Sequence, residues 1–339
     1  MILLATTILS MSAGFAAADV AVSGSARMGV VSTDGASAFS SRVRMSFSGS
    51  GTTDGGLAFG GSFSAHDSQA ANDGDAGSVF ISGAFGKISM GDVDSGDKAA
   101  VGQIDGGVGF TGLGSGNSIG YAADGGFSLD DSFYDEAGVA TVSTGGAKVL
   151  YTYSAGGIAF SASSAQLSSS DTGDKTAFGA GASYTSGALT VALGYGSSDL
   201  SIAGYGPTVD GSVTDVSASA GYVMGATTIK AIYQDKQVDV SYESEDMAAS
   251  AMSAGVSVKH TIDALSLTGF AISTKFEADM YPGESVSANR YGIGASYDLG
   301  GGASFAAGWA HNEAVILDND DHIVAGEVDK FDAGVNFSF

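Results

Sequence analysis

The chain has 339 residues with 53 glycines, 2 prolines and no cysteine, and its 37 acids against 13 lysines and arginines leave a formal charge of -24. Zero cysteine excludes a disulfide scaffold, a thiolate metal centre and a cysteine nucleophile. The acidic balance offers no basic stripe to displace counterions from phosphates, so no nucleic-acid partner is expected.

In chain order, residues 1–18 form an apolar stretch (Ile2, Leu3, Leu4, Ile8, Leu9) that closes on Ala16, Ala17 and Ala18 before Asp19. It reads as a secretory signal peptide, although it lacks a basic start, and leaves 19–339 as the mature domain. Nothing later offers the run of about 18 apolar residues that a membrane helix needs. Any membrane crossing therefore uses strands.

Alternation begins at once. Val22, Met28 and Val30 take one parity and Arg27 the other; over 39–50, Val43, Met45 and Phe47 oppose Arg42, Arg44, Ser46 and Ser48. Over 57–66, Leu57, Phe59 and Phe63 oppose Ala58, Ser62, Ser64 and His66. Strand side chains point to opposite faces in turn, so each segment has an apolar and a polar surface. The pattern continues through 78–92, 147–165, 176–197, 213–236, 251–276 and 289–311. It ends on Phe331, Ala333, Val335, Phe337 and Phe339 against Lys330, Asp332, Asn336 and Ser338. Allowing about 20 residues per strand and connection gives about 16 strands, the grammar of an all-β, antiparallel transmembrane barrel.

Glycine-rich connections at 84–87, 156–157, 186–187, 225–226 and 300–302 suit tight turns at one end. Acidic or serine-rich stretches at 165–175, 197–212, 236–250, 277–288 and 312–327 are expected to be longer loops at the other. One connection exceeds them all, about 92–146, and a loop of that size is functional or disordered. It carries Asp92, Asp94, Asp97, Asp105, Asp124, Asp130, Asp131, Asp135 and Glu136 with a single base, Lys98. Its Phe110, Leu113, Ile119, Tyr121, Phe127 and Phe133 favour packing against something, so the loop is expected to fold into the barrel and narrow it.

Against these acids stand Arg27, Arg42 and Arg44, all on the polar parity. An arginine facing lipid near the midplane costs about 2 to 4 kcal/mol, so they point into the lumen. Guanidiniums opposite carboxylates make a transverse field that screens solutes by size and charge. Lys230, Lys259, Arg290 and Lys330 share the polar parity and read as scattered wall charges.

No enzyme is expected: His66, His260, His311 and His322 lack ligand spacing. No cofactor is implied beyond a possible structural calcium at Asp318, Asn319, Asp320 and Asp321, which lack the glycine and terminal glutamate of an EF-hand loop.

Strings in order along the chain, VSGSARMGVV (22–31), SSRVRMSF (40–47), SGTTDGGLAFGGSFSAHD (50–67), VFISGAFGKISMGD (79–92), LYTYSAGG (150–157), GASYDLGGGAS (294–304) and FDAGVNFSF (331–339), resemble the trimeric general porins of alphaproteobacteria. The resemblance implies a 16-stranded barrel in the Gram-negative outer membrane, assembled as a homotrimer among lipid and lipopolysaccharide. It also implies an inward third loop whose acids face arginines matching Arg42, Arg44 and Arg27, and it reads the terminal Phe339 as an outer-membrane assembly signal. The function expected is passive diffusion of small hydrophilic solutes and ions, cations preferred. The alternative is a structural or adhesive barrel with a blocked lumen. A secreted calcium-binding β-solenoid would show G-G-x-G-x-D repeats, which are absent.

Overall fold

The computed structural model describes residues 19–66, 75–104, 108–113, 119–124, 148–169, 173–202, 209–242, 245–279, 285–317 and 323–339. The signal peptide expected at 1–18 lies outside them.

Sixteen antiparallel strands close into one barrel, each hydrogen-bonded to its neighbours in sequence and β1 to β16. They are β1 (Asp19–Thr33), β2 (Ala36–Thr52), β3 (Ala58–His66), β4 (Asp75–Gly83), β5 (Gly86–Gly91), β6 (Lys148–Ala155), β7 (Ile158–Ser169) and β8 (Gly173–Ser186). There follow β9 (Leu189–Ile202), β10 (Val209–Met224), β11 (Thr227–Tyr242), β12 (Glu245–Ile262), β13 (Leu265–Ala278), β14 (Ser285–Gly300), β15 (Ala303–Leu317) and β16 (Ile323–Ser338). At the seam, Gly24 and Phe339 exchange both backbone hydrogen bonds, at 2.6 and 3.0 Å. Closure leaves no unpaired edge, which in hydrocarbon would cost several kcal/mol per orphaned group.

The apolar parity faces outward. Val43, Phe59, Phe63, Leu193, Tyr195, Ile293, Phe305 and Phe331 are exposed on the bare barrel, which is what a lipid-facing surface requires. The tight turns expected at 156–157, 187, 225 and 300–302 place glycine at positive φ. The long connections expected at 165–175, 197–212 and 236–250 are mostly strand instead. Thus β11 runs to Tyr242 and β12 starts at Glu245, because charged and serine-rich sequence still pairs when its neighbour extends equally far. The wall is uneven: β3 to β6 have 9, 9, 6 and 8 residues, whereas β8 to β16 have 14 to 18.

The long connection leaves β5 at Gly91 and rejoins the sheet at Lys148. It begins with a short helix, α1 (Gly96–Val101), and its described part ends with a 3-10 turn, Ala122–Asp124. Its Val101, Ile104, Val108, Leu113, Ile119 and Tyr121 form the principal buried cluster together with Ala192, Ile232, Phe270, Ile272 and Ala310 of the wall. The hydrophobic core therefore sits inside the barrel, between loop and wall, rather than between two layers of sheet.

Candidate functional site

The loop lies as a belt along the inner wall. Its α1 packs on β7, β8 and β9. Beyond it, the carbonyl of Val101 accepts hydrogen bonds from Ser219 of β10 and Lys230 of β11, both at 2.9 Å. Further on, Ile104 lies over Gly255 of β12 and Ile272 of β13, and Val108 and Gly109 over Gly294 of β14 and Gly308 of β15. At the far end Phe110 and Thr111 reach Asp332 of β16 and Arg27 of β1. The chain then turns back: Ile119 exchanges hydrogen bonds with the Gln103 side chain, 2.9 and 2.7 Å, and the Tyr121 hydroxyl donates to the Gly102 carbonyl. Small wall residues make the seat. A Cβ on Gly196 would overlap the carboxylates of Asp97 and Asp215, and one on Gly308 would lie 2.8 Å from the Gly109 Cα and the Val108 side chain.

The belt divides the lumen into two arcs. Along β7 to β16 many inward side chains are buried, among them Ser161, Ala192, Ser217, Gln234, Ser253, Phe270 and Ala306. Along β1 to β6, Ser89, 8% exposed, is the one buried residue among the described residues. Ser48 and Ser62 there face the lumen in the open. Water therefore has its path against the short-stranded arc.

The charged side chains expected to line the opening are sorted by this division. Arg27 and Arg42 are directly opposite in the β1–β2 ladder and Arg44 lies two residues on, so the three share the inner face at one edge of the open arc. Among the described residues Arg27 faces no loop carboxylate: its guanidinium lies 5.9 Å from the Phe110 ring centroid and 3.5 Å from the Thr111 carbonyl. The described acids stand at the other edge, by β5 and β6. Asp92 and Asp94 border a recess of about 330 Å³ shared with Ser78, Phe80, Lys87 and Leu150. Lys98 reaches Asp94 at 2.8 Å and Asp124 at 2.6 Å, and Lys148 reaches Asp124 at 2.6 Å. Burial raises the Asp124 pKa, but the hydrogen bonds from Lys148 and Lys98 outweigh it and hold the carboxyl below its ordinary range. Burial likewise lowers Lys98, and Asp124 and Asp94 more than restore it. With strands about 4.8 Å apart, β2 and β5 stand roughly 15 Å apart along the wall.

Asp97 departs from the expectation. It is fully buried beneath α1, so it cannot line an aqueous gap, and neither carboxylate oxygen reaches a partner among the described residues in hydrogen-bond geometry. It lies against Gly179, Gly194 and Gly196, beside Asp215, whose Oδ1 accepts from the Ala122 N–H at 2.6 Å. Burial pushes its pKa up from 3.8 to about 6, with the Asp215 charge adding to the rise and Ser95 opposing it. Asp105, Asp130, Asp131, Asp135 and Glu136 lie outside the described residues, as does the calcium option at 318–321.

Sequence reasoning missed Asp215, Lys236, Lys148 and Lys87, read Lys230 as a scattered wall charge and assigned Asp332 nothing beyond the polar face of the last strand. Lys230 and Asp332 bind the belt's backbone, and Asp215 and Lys236 are cross-strand partners beneath it. The available signal was Asp215 alone on the inward parity of β10, among Val213, Ser217 and Ser219.

Comparison with known proteins agrees with this architecture. The Gram-negative porin family matches residues 5–315. A porin of Rhodobacter capsulatus is 36% identical over 95% of this chain and all of its own. A solved porin structure, 34% identical, superposes with a TM-score of 0.71 over 94% of this chain and all of its own. The trimer form of OmpT, an outer membrane protein of Vibrio cholerae, shares the fold at 16% identity, with a TM-score of 0.69 over 95% of this chain and 99% of its own. A closed 16-stranded barrel, an inner belt and this kinship over nearly the whole length lead to one conclusion: the chain belongs to the Gram-negative porins, channel proteins of the outer membrane and not enzymes.

Proposed function

We propose that this porin passes small hydrophilic solutes and ions by passive diffusion along the open arc of its lumen, with cations preferred. The observation that carries the reading is the split between a belt-covered arc and a bare, serine-lined arc bracketed by charge of opposite sign. Solutes slide past hydroxyls that exchange hydrogen bonds with water at little cost, while Arg27, Arg42 and Arg44 on one edge and Asp92, Asp94 and Asp124 on the other orient and sieve them. The preference for cations rests on the excess of 37 acids over 13 bases and on the exposure of Asp94, 55%.

A homotrimer fits this reading, since a related fold is described in a trimer form. The outward ring of Leu193, Ile293 and their neighbours suits outer-membrane lipid and lipopolysaccharide.

Reversal potentials across a planar bilayer under a salt gradient test the polarity. The wild type is expected to favour cations, and Arg42→Ala combined with Arg44→Ala to favour them more. An anion-selective wild type would overturn the preference, and an electrically silent one the diffusion reading, leaving the blocked barrel.

A further inference from the structure

We propose that Asp332 sets the bore of the pore, acting as the latch that holds the far end of the belt against the wall. The inference rests on the reading of the belt as the constriction and names the residue that fixes its width.

Asp332 lies on the inner face of β16 and is fully buried. Its Oδ1 accepts from the Phe110 N–H at 3.0 Å, and its Oδ2 from the Thr111 N–H at 2.8 Å and from the Thr111 hydroxyl. Three donors from two consecutive residues converge on one carboxylate, and hydrogen bonds to an ionised acceptor are roughly twice as strong as neutral ones. Among the described residues these donors hold the carboxylate in place with no ion pair to a cation.

The surroundings are shaped for this contact. Gly109 has φ +77°, and a Cβ there would overlap the Asp332 carboxylate, so the belt reaches the latch only through glycine. The Phe110 ring rests on a floor of two more glycines: a Cβ on Gly29 or Gly334 would stand 2.9 Å from it. Arg27 covers the other side of this segment, with its guanidinium toward the Phe110 ring and the Thr111 carbonyl. Asp332 therefore positions two things at once: the far end of the belt, which bounds the aqueous gap, and Arg27, a charge at the gap's edge.

Between Val108 and Leu113 the belt has no regular secondary structure, and what holds it there besides the latch is the non-directional packing of Val108, Phe110 and Leu113, which a sliding segment can partly keep. The strand ladders are indifferent to it, because Asp332 pairs with Val31 and Gly308 through backbone alone. Bore and barrel integrity should separate on mutation.

Three variants test this: Asp332→Ala, which removes the acceptors; Asp332→Asn, which keeps the shape but turns one acceptor into a donor facing the belt's N–H groups; and Gly109→Ala, which leaves Asp332 intact and pushes the belt away. Each is measured as folded, heat-modifiable barrels by single-channel conductance and by liposome swelling with neutral sugars of increasing size. All three should admit larger sugars than the wild type, with swelling by a disaccharide faster by a factor on the order of two, because passage through a narrow pore depends on its diameter. Folded Asp332→Ala and Asp332→Asn barrels with wild-type conductance and sugar cut-off would overturn the proposal. So would failure of both to assemble, which would make Asp332 a folding residue. A silent wild type would instead sink the diffusion reading itself, and the cation preference is read separately from reversal potentials.

Discussion

The two arcs of the lumen are built from the same alternating strands and come to opposite ends. On β2 and β3 the inward positions include Arg42, Arg44, Ser46, Ser48, Ser62 and Ser64, on β4 and β5 Ser78, Phe80, Lys87 and Ser89, and all of these but Ser89 are at least partly exposed. On β10 to β13 the inward positions include Val213, Ile232, Val238, Phe270, Ile272 and Phe276, all buried. Alternation specifies which residues face inward; it does not specify that inward is wet. Where the belt lies, the inner face becomes a second apolar surface, and the sheet there is greasy on both sides. The polar groups on that arc serve the belt: Ser161 donates to the Gly96 carbonyl, Ser163 accepts from the Gly96 N–H at 2.8 Å, and Ser219 reaches Val101 at 2.9 Å.

The sharpest way to break the comparison is to unbalance the charge beneath the belt. Lys236 is 7% exposed, directly across the ladder from Asp215, and it is close enough to Asp97 to feel its charge. Lys236→Met leaves two carboxylates with no cation between them, and removing one partner from a buried charge pair costs about 3 kcal/mol or more. Protease digestion of the folded barrel should then cut the belt near α1 far faster than in the wild type. Unchanged digestion would show that Asp97 and Asp215 do not depend on Lys236.

A middle-sized effect should follow pH. The Asp97 pKa is raised from 3.8 to about 6, so the docked belt holds a proton that the undocked carboxyl has already released. Docking is therefore strongest below the unperturbed value, weakens as pH rises from 3.8 to about 6, and is level above that. Belt digestion should speed up across that window, and Asp97→Asn, which stays neutral, should abolish the dependence. A wild type with flat digestion from 3.8 to about 6 would contradict the burial of Asp97 as a carboxyl that resists ionisation.

The smallest effect belongs to the open side. Asp124 ties Lys98 and Lys148 together but is 20% exposed, and such partly solvated pairs are worth about 1 kcal/mol. Asp124→Asn should leave the belt docked and lower the cation preference slightly, because two lysines lose their shared carboxylate at the edge of the aqueous path. A rise in cation preference would place Asp124 away from the ions' route.

Much of the fold was legible because the lipid boundary imposes a strict rule on every strand: Val43, Phe63 and Phe331 were placed outward by parity and stand exposed there. The belt's bounds were legible from length alone, since alternation stops near Asp92 and resumes near Lys148. Asp94 and Asp97 were not separable in sequence, where they look alike. Three residues apart at the start of α1, one turns to the lysines and water and the other into the wall. The meaning of the wall glycines was equally hidden. That Gly196, Gly294 and Gly308 make a seat is visible only with the belt on them.

The division of the lumen is tested most directly by cysteine accessibility, since the chain has no cysteine of its own. Ser62→Cys on the open arc and Ser253→Cys, 6% exposed on the covered arc, both face inward and differ from serine by one atom. With a charged, membrane-impermeant thiol reagent, Cys at position 62 is predicted to react quickly and reduce the current through the pore, and Cys at position 253 to react slowly and leave it unchanged. Rapid reaction and block at 253 with no effect at 62 would contradict the account.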